Sequence, residues 1–203
     1  MGNSSDTKNK ILDTAIMHFA KTGYNGTKTA DIARDAGVSE GSVFKYFGTK
    51  KDILTSVLNR IVHETIPGIM LGANEDFLSI VASTEPKKEI KSFIMGKIRR
   101  INENISAFKI LVNELPFHED IMSEYTGKFV PSVIKLGEGF YSTGVARGIF
   151  RDINPHTAAR SFIGMIATIV LESNILNKSL DIDKELDTVL DIYMNGVSTR
   201  KEG

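Results

Sequence analysis

The sequence lacks cysteine and has no long apolar run. Without cysteine it has no disulfide, no thiolate metal site and no cysteine nucleophile, as is common in a reducing cytoplasm. Its longest apolar run, around residues 162–171, is far shorter than the ~20 residues that span a bilayer. The polar first residues show no secretory signal. These absences predict a soluble, cytoplasmic protein without a membrane partner.

An excess of charge of either sign is also missing, since 25 basic side chains balance 25 acidic ones. The balance conceals an asymmetry, because residues 1–60 carry nine Lys and Arg against six Asp and Glu. A basic N-terminal end fits binding to nucleic-acid phosphates, although ordinary scatter gives the same counts. Hydrophobic residues make up 41%, which is enough to bury a core.

Residue patterns that support catalysis or metal binding are scarce. The four histidines are scattered, with no paired spacing on one helix face that would chelate zinc: His18, His63, His118 and His156. There is no Gly-rich phosphate loop after a strand and no nucleophile elbow. We therefore predict a non-enzymatic protein without a metal or cofactor.

Residues 29–51 are the most informative stretch of the chain. Two short helices are predicted there, joined by a turn in which Gly37 takes a positive φ, Val38 fills the turn and Ser39 caps the second helix. This arrangement is a helix-turn-helix, whose second helix enters the major groove of DNA. The predicted core of the motif is Ile32, Ala33, Ala36, Gly37, Val38, Val43, Phe44 and Phe47.

The remainder of the chain is also predicted to be helical, with no sheet. An amphipathic helix over residues 6–21 is expected to end at Gly23 and Gly26, and Thr29 is expected to cap the first short helix of the motif. Later helices are predicted near residues 74–82, 86–103, 105–114, 117–143, 155–176 and 183–199.

One predicted helix, at residues 49–65, starts directly after the motif. Thr49 and Asp52 have the spacing of a capping box at its beginning. Pro67-Gly68 is expected to stop it, because proline lacks a backbone N–H and glycine favours irregular backbone.

The N-terminal quarter of the chain resembles the tetracycline-repressor (TetR) family of bacterial transcriptional regulators. The matching residues cover 8–54 almost continuously: Ile11-Leu12-Asp13-Thr14-Ala15, Phe19-Ala20-Lys21-Thr22-Gly23-Tyr24, Thr29-x-x-Ile32-Ala33, Ala36-Gly37-Val38-Ser39-x-Gly41-Ser42-Val43-Phe44-x-Tyr46-Phe47 and Lys50-x-x-Ile53-Leu54. Two later segments, 114–117 and 148–155, look loosely like parts of the family's ligand-binding domains.

The resemblance implies an all-α, Ω-shaped homodimer with nine or ten helices in each chain. It places a three-helix DNA-binding domain in residues 1–50 and a ligand-binding and dimerisation domain in residues 51–203, connected by the helix at 49–65. It also implies repression that is relieved when a small-molecule effector binds. A ligand would then swing the connecting helix and change the spacing of the two recognition helices.

Contacts to phosphates set affinity, whereas contacts to base edges set sequence preference. The predicted phosphate contacts are Thr27, Lys28, Thr29, Tyr46, Lys50 and Lys51. The predicted base-reading residues are Glu40, Gly41, Ser42 and Lys45. Capping alone would also account for Thr29, and favourable charge in a first helical turn for Glu40. A palindromic double-stranded operator is expected, because a homodimer reads two half-sites.

The predictions of an effector pocket and a dimer interface are based on the family resemblance and on apolar stripes along the helices. Stripes of this kind are equally the ordinary way in which helices pack within one chain. The candidate pocket residues, which favour an apolar or amphipathic effector, are Phe93, Phe108, Phe117, Met122, Tyr125, Phe129, Tyr141 and Phe162. The candidate interface residues are Ala159, Ile163, Ile166, Ala167, Val170, Leu186, Leu190, Tyr193 and Val197.

Two other classes of protein compete with a ligand-responsive repressor. One is a DNA-bound architectural or adaptor protein that has a protein partner and no small effector. The other is a helical enzyme with a vestigial helix-turn-helix, which would need a catalytic constellation that the sequence does not provide. The sequence also leaves open whether regulation is negative or positive.

Overall fold

Helices make up most of the described chain. The computed structural model describes residues 4–70, 80, 83–176 and 178–197, with Val197 described by its backbone only. The α-helices are α1 Ser4–Gly26, α2 Thr29–Asp35, α3 Glu40–Phe47, α4 Lys50–Arg60, α5 Ile66–Met70, α6 Pro86–Glu103, α7 Ile105–Glu114, α8 Glu119–Glu124, α9 Val130–Ala146, α10 Pro155–Asn174 and α11 Ile182–Val197. A 3-10 turn covers Leu115–Phe117, and π-helical turns cover Ile61–Thr65 and Tyr125–Phe129.

The described residues contain no strand, and they fall into nine continuous helical stretches because the π turns join α4 to α5 and α8 to α9. The predicted all-α fold is therefore confirmed. The helix predicted near residues 74–82 falls almost wholly on residues outside the described part of the chain, as do residues 198 and 199 of the last predicted helix.

The chain divides into two compact units. The first unit comprises residues 1–68 and 104–125, and the second comprises residues 69–103 and 126–203. The first unit therefore extends beyond the predicted DNA-binding domain of residues 1–50 and includes α7 and α8. The functional division at residue 50 stays a prediction.

The core of the first unit is built on the apolar stripes of α1 and α4. Helix α1 contributes buried side chains at four-residue spacing, and α7 packs against the same helix. Arg60 of α4 is paired with Asp13 of α1, Nη1 to Oδ1, at 2.7 Å. The buried apolar residues of α1 and α4 are Ile11, Leu12, Ala15, Phe19, Ile53, Leu54, Val57 and Leu58. Each of these side chains except Ala15 stabilises the fold by about 1.5–3 kcal/mol through burial, so the platform that carries α2 and α3 is well anchored.

The core of the second unit has two clusters. In the first, α6 contributes Ile90, Ile94 and Ile98, which pack with Ile169 of α10 and with Leu186 and Leu190 of α11. The second cluster is aromatic and contains Tyr141, Phe150, Ala158 and Tyr193. The Tyr141 hydroxyl donates to the Arg151 carbonyl oxygen at 2.6 Å, which fixes the turn after α9.

Two prolines lie inside continuous helical stretches, each two residues after a π turn. Pro67 follows Ile61–Thr65, and Pro131 follows Tyr125–Phe129. A proline ring clashes with the carbonyl four residues earlier in a regular α-helix and leaves that carbonyl without a donor. The wider π turn changes the hydrogen-bond register from i→i+4 to i→i+5 and accommodates the ring. The prediction that Pro67-Gly68 stops its helix is therefore wrong, since helical structure continues to Met70.

The stretch predicted as one helix at 117–143 also differs in its start. Phe117 belongs to the 3-10 turn Leu115–Phe117, and the helical stretch begins at Glu119 and continues to Ala146. Pro116 falls within the 3-10 turn, where its missing N–H leaves no α-helical bond unmade.

Candidate nucleic-acid interface

The turn between α2 and α3 has the predicted geometry. Gly37 adopts φ 71°, a left-handed value that glycine reaches without strain. The Val38 N–H then donates to the Ala33 carbonyl at 3.0 Å. Ser39 caps α3, because its Oγ accepts from the Ser42 N–H at 3.1 Å. These bonds fix the angle between α2 and α3 and hold α3 as a rigid element.

Helix α3 has one buried face and one exposed face. Val43 and Phe47 are buried, and they lie one helical turn apart. Gly41 and Lys45 are exposed on the opposite side, and Glu40 is exposed in the first turn. Ser42 is half-buried, and its Oγ lies 2.9 Å from the Ser39 Oγ, so it serves the cap as well as the surface.

The assignment of Phe44 to the motif core is wrong. Phe44 is 41% exposed, because it lies at the edge of the buried face, about 100° round the helix axis from Val43. An exposed aromatic side chain beside Gly41 and Lys45 suits an apolar contact with a thymine methyl group in a major groove. Ala36 and Val38 are half-buried rather than fully buried, whereas Ile32 and Ala33 are core residues as expected.

Two predicted threonine contacts are occupied inside the protein. Thr27 is buried, and its hydroxyl donates to the Gly23 carbonyl at 2.8 Å. It is therefore not accessible to a phosphate, and that prediction is wrong. Gly23 adopts φ 72°, which kinks the end of α1 and brings its carbonyl within reach of Thr27.

The prediction that Thr29 caps α2 is wrong. The N-cap residue of α2 is Lys28, and no side chain caps that helix end. The Thr29 hydroxyl instead donates to Oε1 of Glu40 at 2.6 Å, so it links the start of α2 to the start of α3. A carboxylate is a stronger acceptor than the neutral groups otherwise available to this hydroxyl.

The start of α4 is built as predicted. The Asp52 N–H donates to Thr49 Oγ1 at 3.2 Å, and the Thr49 N–H donates to Asp52 Oδ2 at 2.9 Å. This capping box places Lys50 and Lys51 in the first turn of the helix, next to the end of α3. The Lys50 ammonium lies 4.5 Å from the centroid of the Tyr24 ring, a cation–π contact that holds it without neutralising its charge.

The lysines of the described residues 4–60 differ from the arginines in their partners. Arg34 is bound to Asp31 and Asp35, and Arg60 is bound to Asp13. None of the seven lysines there is within ion-pair distance of a carboxylate of the described chain: Lys8, Lys10, Lys21, Lys28, Lys45, Lys50 and Lys51. The uncompensated positive charge of this part of the molecule is therefore carried by lysine ammonium groups, which suits phosphate binding.

A histidine links α1 to α2 on the side of the motif. His18 Nε2 lies 2.8 Å from Asp35 Oδ2. The Arg34 guanidinium, and then His18, hold the pKa of the Asp35 carboxyl below its ordinary value by hydrogen bonding. His63 and His156 each contact one carboxylate, of Glu124 and Glu138. In the described part of the chain no group of three potential metal ligands comes together.

The predicted pocket residues of the second unit lie mainly in its core. Tyr141 is fully buried and stacks on Phe150 with ring centroids 5.2 Å apart, and Phe162 lies 4.5 Å from Tyr193. Phe93 packs against the isoleucine cluster of α6. A surface groove at the start of α6 is lined by Glu85, Pro86, Lys87, Lys88, Lys91 and Asp187, none of which was predicted as a pocket residue.

The other predicted pocket residues lie in the stretch from α7 to the π turn after α8. Phe108, Met122, Tyr125 and Phe129 are half-buried. Phe117 is 81% exposed, since the 3-10 turn directs it outward, and it does not suit the wall of an enclosed pocket. Burial raises the pKa of the Tyr125 phenol above its ordinary value.

Several predicted interface residues are buried inside the protomer instead. Leu186, Leu190 and Tyr193 belong to the core clusters of the second unit. Ala159 faces α9, where a Cβ on Gly137 would come within 2.9 Å of it. These four positions are therefore corrected to core. Side-chain environment is not described for Val197.

Part of the predicted interface helix remains exposed. On α10 one set of exposed residues recurs at helical spacing: Arg160, Gly164, Ala167, Thr168 and Leu171. Ile163, Ile166 and Val170 are half-buried beside them. On α11, Ile192 is 60% exposed. Leu171 and Ile192 were not predicted from the apolar stripes, because each lies next to the main stripe of its helix and not within it.

A helix-turn-helix held on a helical platform, with an exposed lysine-bearing face, defines a DNA-binding transcriptional regulator. The family model of the bacterial regulatory proteins, tetR family, matches residues 11–57. This match places residues 11–57 of the chain in the TetR family. The chain's relatives and its fold are those of transcriptional regulators and not of enzymes. No described helix is long and apolar enough to cross a membrane.

Three similar proteins illustrate the relationship. The fatty acid metabolism regulator protein of Bacillus subtilis (strain 168) is 20% identical over 197 residues, covering 94% of this chain and 95% of its own. YerO, an uncharacterised HTH-type transcriptional regulator of the same strain, is 23% identical over 184 residues, covering 89% of this chain but only 60% of its own. The structure of NalD of Pseudomonas aeruginosa, the secondary repressor of the MexAB-OprM multidrug efflux pump, matches with a TM-score of 0.65 at 20% identity, covering 99% of this chain and all of NalD.

Proposed function

We propose that this regulator is a ligand-responsive repressor that a small, apolar or amphipathic effector releases from a palindromic operator. The observation that carries the proposal is the exposed face of α3, where Gly41, Phe44 and Lys45 stand free of the core on a helix fixed by the Ser39 cap. Lysine donates to guanine O6 or N7, and an aromatic ring contacts thymine methyl groups. Helix α3 therefore reads bases.

Phosphate contacts come from Lys28, Tyr46, Lys50 and Lys51 around that face. Lys28 stands at the start of α2, and Lys50 and Lys51 at the start of α4, where backbone N–H groups and the helix dipole also attract anions. Thr29 serves instead as a clamp on Glu40, and a clamped Glu40 carboxylate is held at the N-terminal turn of α3.

Dimerisation uses α10 and α11. The exposed small residues of α10 allow close approach of a second copy, and Leu171 and Ile192 supply apolar surface that is otherwise open to water. We expect Leu171→Glu combined with Ile192→Glu to give monomers at concentrations where the wild type is a dimer in analytical ultracentrifugation. Met17→Glu, an equally apolar and exposed position on α1, is the matched control and should leave the dimer intact.

The composition of the second unit and the nature of similar proteins both favour an apolar or amphipathic effector. That unit is rich in phenylalanine, isoleucine and leucine, and the similar proteins include a regulator of fatty acid metabolism and a repressor of a multidrug efflux pump. Effector binding changes DNA affinity only through different affinities for the DNA-competent and DNA-incompetent states, and the α4–α5 stretch is the proposed link.

Selection of duplexes from a random pool by the purified protein, followed by footprinting, tests the proposal. We expect a palindrome to be protected and the protection to be lost on adding one of several pools of fatty acids, steroids or aromatic compounds. Protection that no pool disturbs would support the adaptor instead. Phe44→Ala should weaken binding to the selected sequence with little loss of protein stability. Truncation of a core phenylalanine would instead lower the free energy of unfolding by about 3–5 kcal/mol.

A further inference from the structure

The beginning of α1 lies along the second half of α3. The Ser4 hydroxyl donates to the Tyr46 hydroxyl at 3.4 Å. One helical turn later, the Lys8 ammonium lies 5.7 Å from the centroid of the Phe47 ring. Ser4 and Lys8 share one face of α1, so both contacts come from the same edge of the helix. This edge is outside the helix-turn-helix motif and was not assigned to DNA binding by the sequence.

Lys8 is held in position while its charge stays uncompensated. It is exposed, and no carboxylate of the described residues lies within ion-pair distance of its ammonium group. A cation over the face of an aromatic ring is attracted to the ring without being neutralised. Lys50, a predicted phosphate contact, is held over Tyr24 in the same manner. Lys8 and Lys50 are therefore both positioned by a cation–π contact, one on each side of the motif.

We propose that Lys8 is a DNA-phosphate contact that extends the interface from the helix-turn-helix to the first turns of α1. The proposal rests on the proposed operator binding through α3. Phe47 positions the Lys8 ammonium group, because its buried ring is fixed in the core of the motif and Lys8 covers one face of that ring. Tyr46, a second predicted phosphate contact, is next to Ser4 and places the same backbone within reach of α1.

The salt dependence of DNA binding by the full chain tests the proposal. The probe is a 30-base-pair duplex selected by the wild-type protein from a random pool, together with a scrambled duplex of the same length. Each phosphate contact contributes about 0.9 to the slope of log K against log salt. We expect Lys8→Gln to reduce the slope by about 1.8 per dimer on both duplexes. The affinity advantage of the wild type then shrinks about tenfold between 50 and 200 mM salt.

Lys10→Gln is the matched control, because it removes the same charge from the same helix two residues away, about 200° round the helix axis. We expect it to leave the slope unchanged, and Lys8→Arg to restore the wild-type slope. Equal slopes for Lys8→Gln and wild type, with thermal unfolding also unchanged, would overturn the proposal. Equal slope changes for Lys8→Gln and Lys10→Gln would overturn it too, since net charge alone would then act. A wild type that selects no duplex would refute operator binding itself and this proposal with it.

Discussion

Neighbouring side chains of α3 meet different environments. Val43 and Phe47 are in the core, whereas Phe44 and Lys45 face water and carry the proposed contacts. The proposed base-reading and phosphate-binding roles therefore differ between single residues that are close in sequence. Lys45 is on the exposed face of α3, and Lys50 is at the capped start of the next helix.

Replacing these two lysines separately should separate specificity from affinity. Lys45→Ala is expected to flatten the preference among operator variants, with a loss of about 1–3 kcal/mol of discrimination at the base pair it reads. Lys50→Ala should weaken all variants alike and lower the salt slope. Binding measured over a panel of single-base operator variants decides the matter, and equal effects of both changes on every variant would contradict the assignment.

A glycine of α9 sets a second prediction at the scale of one residue. A Cβ on Gly144 would clash with the ring of Phe150, whereas a Cβ on Gly139 of the same helix would meet no atom within 4 Å. Gly144→Ala should therefore destabilise the protein by about 1–3 kcal/mol through overpacking. Gly139→Ala should stabilise it by up to about 1 kcal/mol through helix propensity. Chemical unfolding measures both, and a neutral Gly144→Ala would contradict the packing at Phe150.

Caps decide the beginnings of the helices around the motif. Ser39 and Thr49 make side-chain bonds to the backbone N–H groups of α3 and α4, whereas no side chain does so for α2. Helix α2 is instead tied down through the Thr29–Glu40 hydrogen bond and the buried Ile32 and Ala33.

Two threonine substitutions test this difference between helix ends. Thr49→Ala should cost about 1 kcal/mol in the free energy of unfolding, because the capping hydroxyl is lost together with its bonds to the Asp52 N–H and carboxylate. Thr29→Ala should cost less, since it removes one exposed hydrogen bond and no cap. If urea unfolding gave the larger loss for Thr29→Ala, the position of the α2 cap would have to be revised.

Sequence patterns predicted most of the elements because local chemistry determines them. The bounds of α6 and α7, the capping box at Thr49 and the positive φ of Gly37 follow from residues close in sequence. Phe44, Thr27 and the core positions of α11 could not be assigned in this way. An apolar residue at a helix edge is core or surface according to which neighbour covers it, and that depends on tertiary packing. The same limit applies to the effector pocket.

In the molecule as a whole, charge is distributed differently in the two units. For the lysines of residues 4–60, in the first unit, no carboxylate in the described part of the chain lies within ion-pair distance, while in the second unit Lys91 bridges Asp183 and Asp187 at 2.9 and 2.8 Å. The hydrogen bonds to Asp187 and Asp183 raise the pKa of Lys91. The uncompensated positive charge of residues 4–60 is thus carried by lysine ammonium groups, whereas Lys91 of the second unit is paired with two carboxylates.

Three tyrosines, Tyr125 of the first unit and Tyr141 and Tyr193 of the second, predict the alkaline limit of the fold. Burial raises the pKa of Tyr125, Tyr141 and Tyr193 above the ordinary value of 10.0. The folded state therefore holds these protons more tightly than the unfolded state, so the free energy of unfolding is undiminished below pH 10 and falls as the pH rises above it. Tyr193→Phe should make this fall less steep. Urea unfolding between pH 8 and 11 measures it, and equal slopes for variant and wild type would contradict the burial of the phenol.

The π turns ahead of Pro67 and Pro131 have a consequence for comparing this chain with its relatives. Each π turn takes up one more residue than an α-helical turn, so in sequence terms it is a single-residue insertion that leaves the later faces of the helix in phase. Relatives without these prolines are expected to be one residue shorter at each place. An alignment should therefore open its gaps within residues 61–65 and 125–129, in the middle of helical stretches, and not in the loops where gaps are normally placed.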